Sequence, residues 1–344
     1  MWIVCVLFVV CIGLSLTRGD FHKEYFSKNQ MLPIRGGLAV LIVLHHVYRE
    51  ISGECSSLFF VLNNVGFWIV AIFFFMSGYG LAMSYEKKSN YLHSFVWKKF
   101  VGLMLPAIFV EMAYVSYLLL FTHQGTLVGY CTSLLKCMPT PSVHWFVYVL
   151  FIEYILFYLS GRIAKTIGHN KVYLLMFTIF SMLLICLMYI LNFDRLIFKN
   201  IIFLPLGGMF YYMRNKVEIP YGKWILTVLV VLLVALICLL VMPGQGDFVV
   251  KTLGNTTISV AILLMLVSIL KRVTLKSIFL DFLGNLSMEI YIIHFPVLMI
   301  LKNSGITNAE VLPMLTLVIT ILVSIPFKKG CKLITRNYGD CRRG

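Results

Sequence analysis

Residues Leu32 to Ile51, LPIRGGLAVLIVLHHVYREI, hold two arginines, Arg35 and Arg49, two histidines and a glutamate in an otherwise apolar stretch. At about 100° per residue, the step from Arg35 to His46 returns to within about 20° of its start, so the two share one helix face about 16 Å apart along the axis. His45 points about 100° away. Glu50 lies one turn beyond His46 on nearly the same stripe, where a carboxylate can orient the imidazole and fix its tautomer. An imidazole held in this way accepts a proton, and an arginine offers a planar fork to an anion. The same residue types also have a plainer use. An arginine at the end of a membrane helix anchors it at the inner leaflet, and a histidine inside hydrogen-bonds a neighbouring helix.

A second stretch, FLGNLSMEIYIIHFPVLMIL from Phe282, places Ser287, Tyr291 and His294 at i, i+4 and i+7, on one face, with Pro296 just past the histidine. Read as one helix running from inside to outside, it brings His294 to almost the depth of His46. Glu111, deep in FVGLMLPAIFVEMAYVSYLLL, and Glu153, in HWFVYVLFIEYILFYL, reach similar depths. His144 and Trp145 open the latter segment at an aromatic-belt position. Two histidines and two carboxylates at one level of a membrane point to a polar cavity. The segment FFFMSGYGL has Ser77 and two glycines, which either pack a neighbouring helix closely or meet a substrate. Lys87, Lys88, Lys98 and Lys99 cluster around one loop, as a topology signal that could also hold a polyphosphate.

The elements that must position these residues follow from composition. The chain has 344 residues, is 60% hydrophobic and 12% charged, and has a mean hydropathy of +0.92. A water-soluble core cannot hide that much apolar surface, so the chain reads as an all-α polytopic membrane protein. Apolar runs cover 1–17, 36–51, 65–84, 100–121, 145–161, 172–191, 198–213, 224–242, 256–270, 282–301 and 311–327, which predicts eleven helices, the second and seventh short. Pro106 predicts a kink, and 172–191 and 224–242 read as scaffold. These runs are continuous, unlike the alternating strands of a transmembrane barrel.

The net charge of +15 is distributed as topology. With the N-terminus outside and the C-terminus inside, 23 of the 29 Lys and Arg fall on inner segments. That pattern predicts no nucleic-acid partner. The first segment lacks a basic start and carries Arg18 at its far end, so a retained helix is expected there, followed by a cytoplasmic loop to residue 30. The basic stretch 328–344 then forms a cytoplasmic tail. The nine cysteines show no metal-ligand spacing. Cys55, Cys131 and Cys137 fall outside, where a pair could form.

Arg35-x10-His46, FFFMSGYGL, WKKFVGLMLP, HWFVYVLFIEYILF and LGNLSMEIYIIHFP, in that order and spacing, resemble the integral-membrane acyltransferase-3 family over roughly residues 30 to 327. The resemblance implies a ten-helix acyltransferase domain at 31–327, to which this chain adds the N-terminal helix. It implies acyl-CoA, by default acetyl-CoA, as co-substrate and no bound cofactor. It further implies transfer to a hydroxyl of a cell-surface or exported polysaccharide or its lipid-linked precursor, in the plasma membrane. Arg35 and His46 become the essential pair. Family members commonly carry an arginine three residues before the third motif's proline, where this chain has Leu103, and Lys98 and Lys99 are the nearest substitutes. Members with an extracellular transfer domain differ from this chain.

Transfer from a thioester to an alcohol needs a base and an oxyanion partner. The expected catalytic residues are His46, Arg35 and Glu50. Arg35, Lys98, Lys99 and Ser77 are expected on the donor, and Glu111, Trp145, Glu153, Tyr291 and His294 around the acceptor. Direct attack with His46 as base and a covalent acyl-histidine both fit. A transporter or flippase of a polar solute is the rival, because buried ionisable residues also mark translocation paths. Inverted repeats and paired interrupted helices, the usual signs of that class, are missing from the pattern.

Overall fold

The computed structural model describes residues 15–18, 26–51, 60–135, 139–169, 172–214 and 248–340. Residues 1–14 of the expected span 1–17, and all of the expected span 224–242, lie outside the described residues. The backbone is largely helical: α1 (Lys28–Ile51), α2 (Phe60–Lys87), α3 (Phe95–Thr122), α4 (Leu127–Leu135), α5 (Trp145–Ile167), α6 (Val172–Ile190), α7 (Arg195–Phe198), α8 (Phe203–Met213), α9 (Phe248–Leu270), α10 (Ile278–Asn285), α11 (Ser287–Asn303) and α12 (Val311–Asp340). Among the described residues six helices are long and apolar enough to cross a membrane, or seven if α10 and α11, bent by 74° at Leu286, count as one.

Several boundaries depart from the sequence expectation. The helix carrying Arg35 begins two turns earlier than residue 36 and is a full 24 residues long. Pro33 removes a single donor near its polar start, which does not stop a helix already begun by the Met31 amide on the Ser27 carbonyl at 3.1 Å. Of the run 198–213 only Phe203–Met213 forms a continuous helix, α8, and the short α7 ends at its first residue. Between the runs 100–121 and 145–161, where no helix is expected, Leu127–Leu135 fold as α4. Around Pro106 the chain stays helical, preceded by a π turn at Phe100–Met104 that closes with the Leu105 N–H on the Phe100 carbonyl. The end of the first expected helix is a strand: β1 (Ser15–Arg18) pairs antiparallel with β2 (Val273–Lys276), Ser15 opposite Lys276 and Arg18 opposite Val273. The ladder pairs the facing backbone edges of the two segments, which include β-branched Thr17, Val273 and Thr274.

The chain divides into two compact units. The first takes residues 1–73, 212–288 and 305–317. Its centre is the crossing of α1 and α10, where backbone meets backbone. A Cβ on Gly36 would overlap the Leu280 carbonyl oxygen, and one on Gly284 would overlap the Leu32 carbonyl oxygen. Ser277 caps α10, its Oγ accepting from the Leu280 amide at 3.2 Å. Gln30 at the start of α1 donates to Thr274 Oγ1 on β2 at 3.5 Å.

The second unit takes residues 74–211, 289–304 and 318–344. Here too a glycine pair sets a crossing. Gly78 of α2 faces the Leu204 carbonyl, and Gly207 of α8 faces the Phe75 carbonyl, each with no room for a Cβ. The close approach expected of FFFMSGYGL is therefore made by Gly78, while nothing lies within 4 Å of a Cβ on Gly80. α5 packs on α6, with Tyr85, Phe157, Tyr173 and Phe177 in an edge-to-face aromatic core.

Candidate active site

In the first unit the glycine contact brings α1 and α10 close enough for Arg35 Nη2 to donate to Ser287 Oγ at 2.9 Å. Ser287 is the first residue of α11, directly after the 74° bend. Most of α1 is buried, yet Arg35, His46 and Glu50 are each only half-buried, so the stripe expected from the periodicity is the more open side of this helix. His45 is buried, its ring packed on α2 where a Cβ at Gly66 would run into it. The two histidine rings meet edge to face at 4.8 Å between centroids. The sequence separated the histidines by direction. It gave no sign that His45 would fill a glycine notch in α2.

In the second unit each buried carboxylate has a definite partner. Glu111 Oε2 accepts from Tyr148 Oη at 2.6 Å and Oε1 from the Thr140 amide at 2.9 Å, so it ties the segment just before α5 to α3 and α5. Glu153 is fully buried, and its Oε2 accepts from Ser181 Oγ at 2.7 Å. Oε1 has no hydrogen-bond partner among the described residues. Ser181 lies on α6, which read from sequence as scaffold. An isolated serine in an apolar run carries no signal until its neighbour is known.

Tyr291 and His294 are both buried on α11. His294 Nδ1 lies 2.7 Å from the Tyr291 carbonyl and 3.1 Å from the Ile290 carbonyl. Both neighbours are acceptors, so Nδ1 carries the proton and Nε2 is the basic nitrogen. Tyr291 Oη donates to the Val143 carbonyl at 2.5 Å, and the adjacent His144 Nε2 lies 2.7 Å from the Ile292 carbonyl. Burial pushes the His144 imidazole down to about 4, against the smaller upward effect of the Ile292 carbonyl. Sequence reading assigned His144 only a belt position. The signal it missed is Pro296, which leaves the carbonyl four residues earlier without a backbone donor. Trp145 is half-buried beside it, and Ser77 is half-buried on α2.

The model of the acyltransferase-3 family, described as an acyltransferase domain, matches residues 34–328. The chain belongs to that family. It is a membrane acyltransferase with several membrane-spanning helices. Neither a curated protein nor a solved structure matches the chain. The acyltransferase match opens one residue before Arg35 and takes in both histidine-bearing helices, α1 and α11. At the position where acyltransferase-3 members commonly carry an arginine, Leu103 is buried. One turn earlier, Lys99 lies over the Tyr154 ring with Nζ 4.2 Å from its centroid, a cation–π contact, while Lys98 is exposed.

Proposed function

We propose that this acyltransferase moves an acetyl group from cytoplasmic acetyl-CoA to a hydroxyl of a cell-surface or exported polysaccharide, or of its lipid-linked precursor. The observation that carries this reading is the open stripe of α1, with Arg35 held at Ser287 and His46 and Glu50 on the same side.

In the proposed reaction His46 takes the proton of the acceptor hydroxyl and Glu50 steadies the imidazolium. The oxygen attacks the thioester carbonyl, giving a tetrahedral oxyanion. The C–S bond then breaks, the proton on His46 passes to the CoA sulfur, and the products are an ester and free CoA. Arg35 offers its guanidinium to the thioester end or the phosphates of CoA. Lys98, Lys99 and Ser77 belong to the donor side, with Lys99 taking the charge that Leu103 lacks. Glu111, Trp145, Glu153, Tyr291 and His294 belong to the acceptor side.

The protein lies in the plasma membrane with its N-terminus outside and its C-terminus in the cytoplasm. An eleven-helix arrangement, with one N-terminal helix before a ten-helix domain, fits this reading. The β1–β2 pairing supports it, because both strands border segments that the basic residues assign to the inner side.

The test incubates membranes containing the protein with radiolabelled acetyl-CoA. Label is expected in polysaccharide or lipid-linked sugar with the wild-type chain and not with His46→Ala. Label that appears equally with both proteins, or with neither, sinks the reading.

A further inference from the structure

Pro296 lies inside α11 and has no N–H, so the Ile292 carbonyl lacks the donor that a regular helix would supply. His144 stands where that donor is missing, with Nε2 at 2.7 Å from the Ile292 oxygen. A carbonyl accepts only, so Nε2 carries the proton, and Nδ1 keeps a lone pair that meets no hydrogen-bond partner among the described residues. The neighbouring bond runs the other way, from Tyr291 Oη to the Val143 carbonyl. Residues 143 and 144 thus exchange two bonds with residues 291 and 292. The Phe146 ring closes the contact edge-on to Tyr291 at 5.3 Å. His294 projects from the same turn, its ring 5.8 Å from that of Tyr291 and its Nδ1 on the Tyr291 carbonyl.

We propose that His144 is a positioning residue for acyl transfer: it fills the carbonyl that Pro296 frees, and so sets the rotation of α11 from which His294 projects. This rests on the reading that His294 serves the acceptor side of the reaction. A proline helix whose freed carbonyl finds no cross-helix donor bends to expose it, and a bend at Ile292 turns everything on the adjacent turn. The role needs a neutral imidazole, because a second proton would sit on the buried Nδ1. Burial holds the group in that state well below neutrality.

The test is a double-mutant cycle between positions 144 and 296 in the full-length protein, assayed in membranes and melted in detergent. Pro296→Ala restores an N–H within helical reach of the Ile292 carbonyl and so makes His144 dispensable. His144→Ala should lower kcat about tenfold or more while KM for acetyl-CoA stays within about twofold. It should also melt several degrees lower. His144→Gln, whose amide N–H can occupy the place of Nε2, should recover most of kcat, and the shorter His144→Asn should not. With Pro296→Ala already present, His144→Ala should cost much less on both readouts.

Equal losses in the two backgrounds overturn the proposal, as does a glutamine variant no better than alanine. A His144→Ala protein that melts lower with unchanged kcat also overturns it, leaving a purely structural contact. If His144→Ala does not accumulate, its recovery on adding Pro296→Ala supports the proposal and continued absence overturns it. Wild-type membranes that transfer no acetyl group defeat the acetyl-transfer reading and this positioning role with it. The melting cycle then shows whether the 144–296 coupling was itself correct.

Discussion

Arg35 and Ser287 stand 252 positions apart in the chain and 2.9 Å apart in the structure, Nη2 donating to Oγ. A guanidinium can hold a hydroxyl with one arm while its other N–H groups lie in the same plane, whereas an ammonium has no such plane. Arg35→Lys should therefore lose acetyl transfer nearly as fully as Arg35→Ala, by about a hundredfold or more. Both proteins should reach the membrane in normal amounts, since lysine counts equally toward topology. A lysine variant with near-normal turnover of labelled acetyl-CoA would reduce Arg35 to an anchor.

His46→Ala should abolish transfer while leaving the melting temperature of the solubilised protein almost unchanged, because the side chain is half-buried on the open side of α1. His45→Ala should do the reverse. Removing a buried ring from its notch at Gly66 leaves a cavity costing about 1–3 kcal/mol, seen as a lower melting temperature and less protein per membrane. Its kcat per folded molecule should stay near that of the wild type. Equal losses of kcat in the two variants would contradict the separation of the histidines.

Gly36→Ala and Gly284→Ala should each destabilise the α1–α10 crossing, because the added methyl meets a backbone carbonyl that cannot move aside as a side chain can. Gly37→Ala and Gly80→Ala, with nothing within 4 Å of the new Cβ, are the controls. In a helix interior they should be neutral or stabilising by about 0.5–1 kcal/mol. Thermal melting of the four proteins in one detergent distinguishes the pairs. If all four behave alike, the crossing is looser than described.

The His144 imidazole ionises at about 4 in the folded protein, against 6.5 for the ordinary group. Between those values the unfolded chain binds a proton that the folded one refuses, so stability falls as the pH drops through that window. Above it both forms are neutral and the effect vanishes. The loss amounts to about 3 kcal/mol at most. Melting curves recorded from about pH 7 down to about pH 4 should show it in the wild type. His144→Gln, which has nothing to protonate there, should show a shallower dependence, and identical slopes would count against a buried neutral histidine.

Several features were legible without tertiary structure because they depend on local chain geometry. Apolar runs of membrane length mark most of the helices. The 3.6-residue period places Arg35, His46 and Glu50 on one stripe of α1 wherever that helix lies. The family motifs depend on order and spacing alone. Helix ends and breaks were less legible. Apolar residues recur on both sides of Leu286, so the run 282–301 reads as one helix although α10 and α11 meet at 74°.

The partners were decided only by tertiary structure. Whether Arg35 reaches Ser287 depends on how closely α1 and α10 cross, which Gly36 and Gly284 permit through contacts with carbonyls from the opposite helix. Pro296 announces in the sequence that the Ile292 carbonyl needs a donor, yet nothing near it in the chain names His144, which lies 148 positions before Ile292. Glu153 likewise meets Ser181 only because α5 and α6 pack together. Periodicity orients a side chain about its own helix axis. The reach of a hydrogen bond, about 3 Å, is set by the separation and crossing of two axes, which the packing of distant segments determines.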